Sequence, residues 1–358
     1  MNPLSCALWE ITLGCNMNCK HCGSSAGSVR QDELGLSESY KVAEDLAKIN
    51  CRMVTLMGGE PFFRSEWFEI ARCVKDLGMD LGFVSNGWNM PDVIERLAIL
   101  EPEVVGISLD GTEAIHDSIR KKGSFKRVIK AIDLLKQHNI QTTIITTISK
   151  TNFNELPKIR KLIRPKEVNW QIQTAMPFGN FDRNLVISLE EYYSSAMFIV
   201  SENIKNSYKD MPVVGAHCYG YFSHLLPNSE NWDGCTAGRS TVGITSNGNV
   251  VGCLSMGGDR YIEGNLRQKS FKEIWEDPNA FSYNRKFKIE QIGEQCKDCE
   301  YALKCKGGCN SVSLHMSNSL HNSLYCFRRI EEKILEVNPK KIKKSGNWKK
   351  TKKIDRDT

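Results

Sequence analysis

The chain has 358 residues, 41% of them hydrophobic, enough for one large α/β unit and a smaller companion. No apolar run approaches the roughly 20 residues that cross a bilayer, and Met1-Asn2-Pro3-Leu4-Ser5-Cys6 lacks the basic-then-apolar order of a secretory signal, so a cytoplasmic location is expected. The formal charge is +6, yet Lys340 to Thr358 alone carries +7; a near-neutral body argues against a nucleic-acid-binding domain, and the basic end reads as a solvated tail or as a contact for an acidic partner or membrane surface.

Strand-like and helix-like segments alternate along the first half. Strands are predicted at Leu8–Leu13, Met53–Met57, Leu81–Ser85, Val104–Leu109, Thr142–Ile148 and Val168–Thr174. Helices are predicted at Ser39–Ile49, Glu66–Leu77, Pro91–Leu100, Ser124–His138 and Asn154–Ile163. In the Ser124 helix, Phe125, Val128, Ile129, Ile132 and Leu135 share one face, and Ser124 stands at the cap position. Six βα units in a row predict a parallel sheet with helices outside, an open or closed barrel with its chemistry at the C-terminal strand ends. Those ends read Gly14-Cys15, Gly58-Gly59-Glu60-Pro61, Ser85-Asn86-Gly87, Ser108-Leu109-Asp110-Gly111 and Gln173-Thr174-Ala175. A further helix is predicted at Leu189–Lys205. Beyond about residue 210 the alternation stops. Short strands Val242–Thr245 and Val250–Cys253 flank the turn signal Ser246-Asn247-Gly248-Asn249. The expected division is 1–210, 211–335 and a basic tail at 336–358.

Fourteen cysteines in a chain expected in a reducing compartment point to metal or cluster ligation rather than disulfides. Three lie within Cys15–Cys22 and seven between Cys235 and Cys326. Cys6, Cys51, Cys73 and Cys218 are scattered, and Cys51 and Cys73 read as small core residues. The run Cys15-x3-Cys19-x2-Cys22 places three thiolates on one short loop. That suits a 4Fe–4S cube with one iron left open. A zinc site would want a fourth Cys or His at tetrahedral spacing, for which His21 is the nominee.

On these residues the chain resembles the radical S-adenosylmethionine superfamily, which carries this cysteine spacing after the first strand of a partial (β/α)6 TIM-type barrel. The family often has an aromatic residue before the third cysteine; this chain has His21. The resemblance implies that the amino and carboxylate groups of S-adenosylmethionine chelate the open iron. Reductive cleavage then gives methionine and a 5′-deoxyadenosyl radical, which abstracts a substrate hydrogen. It also implies cofactor contacts: Gly58, Gly59, Glu60 and Pro61 for the methionine amino group, Ser85 and Asn86 for the ribose, and Ser108 for the methionine carboxylate. An ordinary βα turn is the other reading of the Gly-Gly segment. Asp110 belongs to the family's Ser-x-Asp-Gly segment or caps the next helix. Arg120, after His116 and Asp117, is an anion partner or part of a solvated helix face.

The downstream spacing is Cys235-x12-Gly248-x4-Cys253, then Cys296-x2-Cys299-x5-Cys305-x3-Cys309-x16-Cys326. It resembles the SPASM extension, a small cysteine-rich α+β domain. The resemblance implies two auxiliary 4Fe–4S clusters. Cys296, Cys299, Cys305 and Cys326 are assigned to the outer one, and Cys235, Cys253 and Cys309 to the inner one. The inner set lacks a fourth ligand. Cys218 is nominated for it, with a catalytic thiol or an open iron as alternatives. Taken alone, the downstream pairs would also suit zinc.

The implied activity is that of a radical oxidoreductase modifying a ribosomally made peptide by crosslinking, thioether formation, dehydrogenation or epimerisation. Only fourteen residues precede Cys15, so a peptide substrate is expected to need a separate recognition protein or to dock directly on the SPASM face. An electron donor such as flavodoxin or ferredoxin is also expected. The alternatives are a small-molecule radical oxidase of haem or cofactor biosynthesis, and a non-catalytic iron–sulfur or zinc module. Asp182, Tyr219, Tyr221 and His224 are candidate acid/base groups that spacing alone does not separate.

Overall fold

The computed structural model describes residues 4–205, 211–219, 223 and 232–334. Six strands lie side by side in chain order, all parallel: β1 (Cys6–Thr12), β2 (Met53–Gly58), β3 (Asp80–Ser85), β4 (Val104–Ser108), β5 (Thr142–Ile148) and β6 (Asn169–Thr174). That order follows from short right-handed βα connections, each returning the chain to the neighbouring position. Helices Leu36–Lys48, Trp67–Asp76, Met90–Ile99, Ser124–Gln137 and Leu156–Ile163 make the returns. Their apolar stripes bury against the sheet, as Val128, Ala131, Ile132 and Leu135 do with no exposed surface.

The Ser124 helix is capped differently from the sequence expectation. Its first flanking residue is Gly123, in the left-handed region at φ 83°, and Asp117 supplies the cap. The Asp117 carboxylate accepts from the backbone N–H of Gly123 at 2.6 Å and of Phe125 at 2.8 Å. A short helix, Glu113–Ile119, precedes it.

The sheet continues past these six strands. β7 (Val213–Gly215) adds parallel to β6. On the opposite side β8 (Thr241–Ile244) pairs parallel with β1, and β9 (Asn249–Val251) and β10 (Ile262–Asn265) follow antiparallel. The result is one mixed ten-stranded sheet in the order β10-β9-β8-β1-β2-β3-β4-β5-β6-β7. A small cysteine-rich C-terminal domain follows, with its hairpin strands extending the sheet.

Contacts with both strands and helices bind that domain to the first half of the chain. Glu10 on β1 is buried, and its carboxylate accepts from Arg30 Nη2 at 2.8 Å and from the backbone and hydroxyl of Ser246 at 3.1 and 3.0 Å. Tyr192, on the helix Leu189–Lys205, stacks on Tyr325 with ring centroids 4.5 Å apart and on Phe327 at 5.1 Å. No helix among the described residues is long and apolar enough to cross a membrane.

Candidate active site

β1 delivers the first cysteine loop to the C-terminal edge of the sheet. Its backbone is pinned from several sides. Gly14 N donates to Thr12 Oγ1 at 2.9 Å, Cys15 N to Gly27 O at 2.9 Å, and Lys20 N to Ile119 O at 2.9 Å. The Gly58-Gly59 pair lies directly on this loop. A Cβ on Gly58 would sit 2.1 Å from Thr12 O, and one on Gly59 would sit 2.3 Å from Gly14 O. The glycines therefore let two chain segments touch, and Gly58 also holds φ 146°.

The three thiols of Cys15, Cys19 and Cys22 lie within electrostatic reach of one another. Burial pushes Cys15 up to about 11 and raises Cys19, which Arg120 opposes by its charge and a hydrogen bond to the thiol. Cys22 Sγ accepts from Ala26 N at 3.3 Å. An open cavity of about 650 Å³ adjoins the loop, bordered by Cys15, Asn16, Ser25, Arg120 and Lys121.

Two buried carboxylates flank these thiols. Glu60 is fully buried, and burial raises its carboxyl to about 7 against three hydrogen bonds that favour ionisation. Those come from Asn86 N at 2.7 Å, Ser85 Oγ at 2.9 Å and Phe62 N at 3.4 Å. Glu60 and Ser85 thus bond each other and tie the ends of β2 and β3. Asn86 Nδ2 reaches Asn16 Oδ1 at 2.8 Å and Cys15 Sγ at 3.8 Å.

Asp110 is also fully buried. Burial alone would raise it, but Arg120 and His21 hold its carboxyl far below the usual range. Its Oδ2 accepts from Arg120 Nε at 2.5 Å and faces His21 Nε2 at 2.8 Å, and its Oδ1 accepts from Thr147 N at 2.9 Å. The cap of the following helix is Thr112, so Asp110 does not cap it. Arg120 is 9% exposed and is therefore not on a solvated face. His116 is buried behind them and accepts from Asp110 N at 3.1 Å. Burial, aided by the Arg120 charge, lowers it to about 4. Ser108 closes β4 and is buried beside this network. His21 Nδ1 and His116 Nε2 are buried without partners.

The downstream cysteines form two groups. Cys305 and Cys326 interact electrostatically with both Cys296 and Cys299 and with each other. Cys235 is hydrogen-bonded to Cys309, which holds Cys235 below the usual thiol range and pushes Cys309 up, and Cys253 is the third thiol beside them. Cys218 lies apart from both descriptions. It is buried behind β6 with its thiol against Thr174, and its electrostatic neighbours include Tyr219 and Tyr325. Cys51 is buried and donates to Met53 O, Cys6 faces Thr55, and Cys73 packs on the core from a helix.

Among the other candidates, Asp182 accepts from Asn184 N at 2.9 Å and caps a short turn. The Tyr219 hydroxyl pairs with Ser195 Oγ at 2.7 Å. Tyr221 and His224 lie outside the described residues. All fourteen cysteines are free thiols. Among the described residues no three His, Cys, Asp or Glu side chains converge as a single-ion site would require. A cube several ångströms across instead needs thiols spread around it, and the three neighbouring thiols of the first loop, with Cys15 bordering the cavity, suit that requirement.

Two features escaped the sequence reading. One is the His21–Asp110 pair, 89 positions apart. The other is the turn at Phe178-Gly179-Asn180. There Asn180 N donates to Cys22 O at 2.9 Å, and Phe178 stacks on His315 of the C-terminal domain at 4.3 Å.

Residues 9–163 match the model of the radical SAM superfamily, and residues 235–300 match that of an iron–sulfur cluster-binding domain, SPASM. The AdoMet-dependent heme synthase of Methanosarcina barkeri is 29% identical over 340 residues, covering 90% of this chain and 95% of that protein. The mycofactocin maturase MftC of Mycolicibacterium smegmatis is 27% identical over 313 residues, covering 85% and 77%. The crystal structure of Streptococcus suis SuiB bound to S-adenosylmethionine superposes with a TM-score of 0.74 at 15% identity, covering 91% of this chain and 76% of that one. Native anSMEcpe with bound AdoMet gives 0.72 at 18% identity, covering 97% and 100%. The chain is a radical S-adenosylmethionine enzyme with a C-terminal SPASM domain, a family whose cofactors are an AdoMet-binding 4Fe–4S cluster and auxiliary iron–sulfur clusters.

Proposed function

We propose that this enzyme oxidatively modifies a ribosomally made peptide. Cys15, Cys19 and Cys22 would hold the S-adenosylmethionine-binding cluster. Cys296, Cys299, Cys305 and Cys326 would hold an outer auxiliary 4Fe–4S cluster, and Cys235, Cys253 and Cys309 an inner one. The bound groups supply reductive cleavage of S-adenosylmethionine to a hydrogen-abstracting 5′-deoxyadenosyl radical and an electron sink for the product. The chain's own contribution is positional. Gly58 and Gly59 bring the end of β2 onto the cysteine loop, and Asn86 and Arg120 touch the thiols of Cys15 and Cys19. Asp110 fixes Arg120 and His21. Ser85 and Ser108 stand at the C-terminal ends of β3 and β4 and would meet the cofactor's polar groups there.

The observation that carries the peptide reading is the cavity. It is open and of mixed polarity, with Asn16, Asn18 and Ser25 beside Met17 and Ala26; of its two bordering cations, the largely buried Arg120 is paired with Asp110 and Lys121 is exposed. An extended chain suits such a site better than a compact polyanion does. SuiB, which shares the fold, has been seen bound to its precursor peptide SuiA. A second reading, oxidation of a small tetrapyrrole, is favoured by the heme synthase relative, aligned over 95% of its own length. Anaerobic incubation with a cognate precursor peptide, and separately with a porphyrin polycarboxylate, separates the two. Deoxyadenosine formed together with a peptide lighter by a pair of hydrogens supports the first. A peptide of unchanged mass in ordinary water that gains a deuterium in deuterium oxide marks epimerisation. Turnover of the porphyrin alone supports the second reading.

The remaining assignments belong to the same proposal. The βα units act as a partial (β/α)6 barrel at 1–210, the auxiliary-cluster domain spans 211–335, and 336–358 is a basic tail. The fourteen free thiols suit a reducing cytoplasm. A flavodoxin- or ferredoxin-type donor would supply the electron, and a separate protein would present the peptide. Cys218, with its thiol against Thr174, would serve as a buried thiol behind β6 or as the fourth ligand of the inner cluster.

A further inference from the structure

Cys235 and Cys253 share a small apolar nest with Ala237, Met256 and Tyr261, and Tyr283 packs on its edge. Tyr283 brings a phenol hydroxyl to that edge. Its hydroxyl is buried and has no hydrogen-bond partner among the described residues. Buried phenols ordinarily find one, so an orphan marks a place where a group with acceptor atoms belongs. The hydroxyl is within electrostatic reach of both Cys235 and Cys253.

Gly252 makes this position possible. A Cβ there would lie 2.0 Å from Tyr283 Oη, so the hydroxyl rests on the chain immediately before Cys253. The tyrosine is also tied to the segments that carry the other two thiols. Its ring meets Tyr261 edge-on, with centroids 5.9 Å apart, and its carbonyl pairs with His321 Nε2 at 2.8 Å. The next residue, Asn284, donates to Ala237 O at 2.7 Å and accepts from Asn310 Nδ2 at 2.8 Å. Ala237 lies two residues after Cys235, and Asn310 directly follows Cys309.

We propose that Tyr283 donates a hydrogen bond to a sulfur of the inner auxiliary cluster and raises that cluster's reduction potential. The inference rests on the reading that Cys235, Cys253 and Cys309 hold that cluster. A hydrogen bond to cluster sulfur favours the reduced, more negative state, and does so more strongly where the surroundings are apolar. A neutral phenol supplies the donor without adding a charge to the nest. The outer cysteines meet a different environment, with the guanidinium groups of Arg328 and Arg329 near Cys299 and Cys296. Tyr283 therefore tunes one auxiliary cluster and not the other.

The test uses full-length protein reconstituted anaerobically with iron and sulfide, as wild type and as Tyr283→Phe. Potentiometric titration followed by electron paramagnetic resonance reads each cluster. Proton ENDOR before and after exchange into deuterium oxide reads the hydrogen bond. The variant is expected to keep its iron, to move the inner cluster alone to a more negative potential, and to lose one exchangeable proton coupling. An unmoved potential with unchanged couplings overturns the proposal. So does loss of about four irons from the variant, which would make the phenol a ligand. If Tyr283→Phe does not fold, two further measurements decide. Gly252→Ala, which keeps the phenol but unseats its hydroxyl, should weaken the same coupling, and its persistence at full strength counts against the proposal. Wild-type protein lacking any exchangeable coupling at the inner cluster overturns it outright. A wild type that binds only about eight irons would overturn the cluster assignment too, a failure the iron count tells apart.

Discussion

The cysteine loop after β1 and the cysteine nest around Cys235 are built by opposite means. The first is polar and open: two buried carboxylates, two histidines and Arg120 surround its thiols beside a cavity of about 650 Å³. The second is apolar and closed, with Met256 and Tyr261 buried at 1% and 8% exposure. A site that must admit and orient a charged ligand needs fixed charges whose own desolvation is already offset by partners. A site that only stores a group, or passes electrons to it, is better served by a low-dielectric wall and few donors.

The sharpest way to break this contrast is to remove one thiol from each region. Cys15→Ala should abolish deoxyadenosine formation while keeping about eight of about twelve irons. Cys309→Ala should lose about four irons yet still release deoxyadenosine, while modified product disappears. Iron analysis with chromatographic assay of both products reads this, and identical phenotypes would erase the distinction.

The next effect concerns the charged network. Asp110→Asn leaves Arg120 buried beside a neutral amide, and breaking such a pair should cost about 3–5 kcal/mol, seen as a lower unfolding midpoint in denaturant. A change below about 1 kcal/mol would mean that the network is solvated after all.

The two carboxylates of the open site should also carry opposite pH signatures. Glu60 is raised from 4.5 to about 7 in the fold. Its neutral form therefore contributes stability that is present below pH 4.5 and lost as pH rises through about 7, on the order of 3 kcal/mol. Asp110 is held low, so its contribution is present above its usual range and lost as pH falls. Unfolding of protein without clusters, followed from pH 4.5 to 8, should show the Glu60 slope, and Glu60→Gln should flatten it. The smallest change is expected away from both regions. Arg267 pairs with Glu38 at the surface at 2.7 Å, and Arg267→Ala should cost about 1 kcal/mol or less.

Much of the fold was legible because periodicity is local. Thr142–Ile148 and Leu189–Lys205 are observed at their predicted ends, and the other five predicted strands of the first half agree within two residues. β7 was missed because three residues carry no period, and its place comes only from pairing with β6. Helices such as Ala302–Cys305, four residues long, are nearly as short and lie among cysteines. The cysteine spacings were readable because Cys15, Cys19 and Cys22, and again Cys296, Cys299, Cys305 and Cys309, lie close together in sequence. His21 with Asp110, and Tyr283 with Gly252, were not, because each pairing depends on two distant segments meeting. Asp110 was read as an even choice between a cofactor contact and a cap. Only the geometry shows that Thr112 takes the cap.

The pairing of β8 with β1 has a consequence for dissecting the molecule. β1 carries the first cysteine loop, and β8 covers one of its two edges. Deleting the chain from Cys235 onward would turn β1 from an interior strand into a bare edge, with unpaired backbone groups along Cys6–Trp9. Such edges recruit other chains. The truncated sheet should therefore self-associate through the strand that positions its reactive loop, which makes the C-terminal domain a guard against aggregation as well as a carrier of clusters.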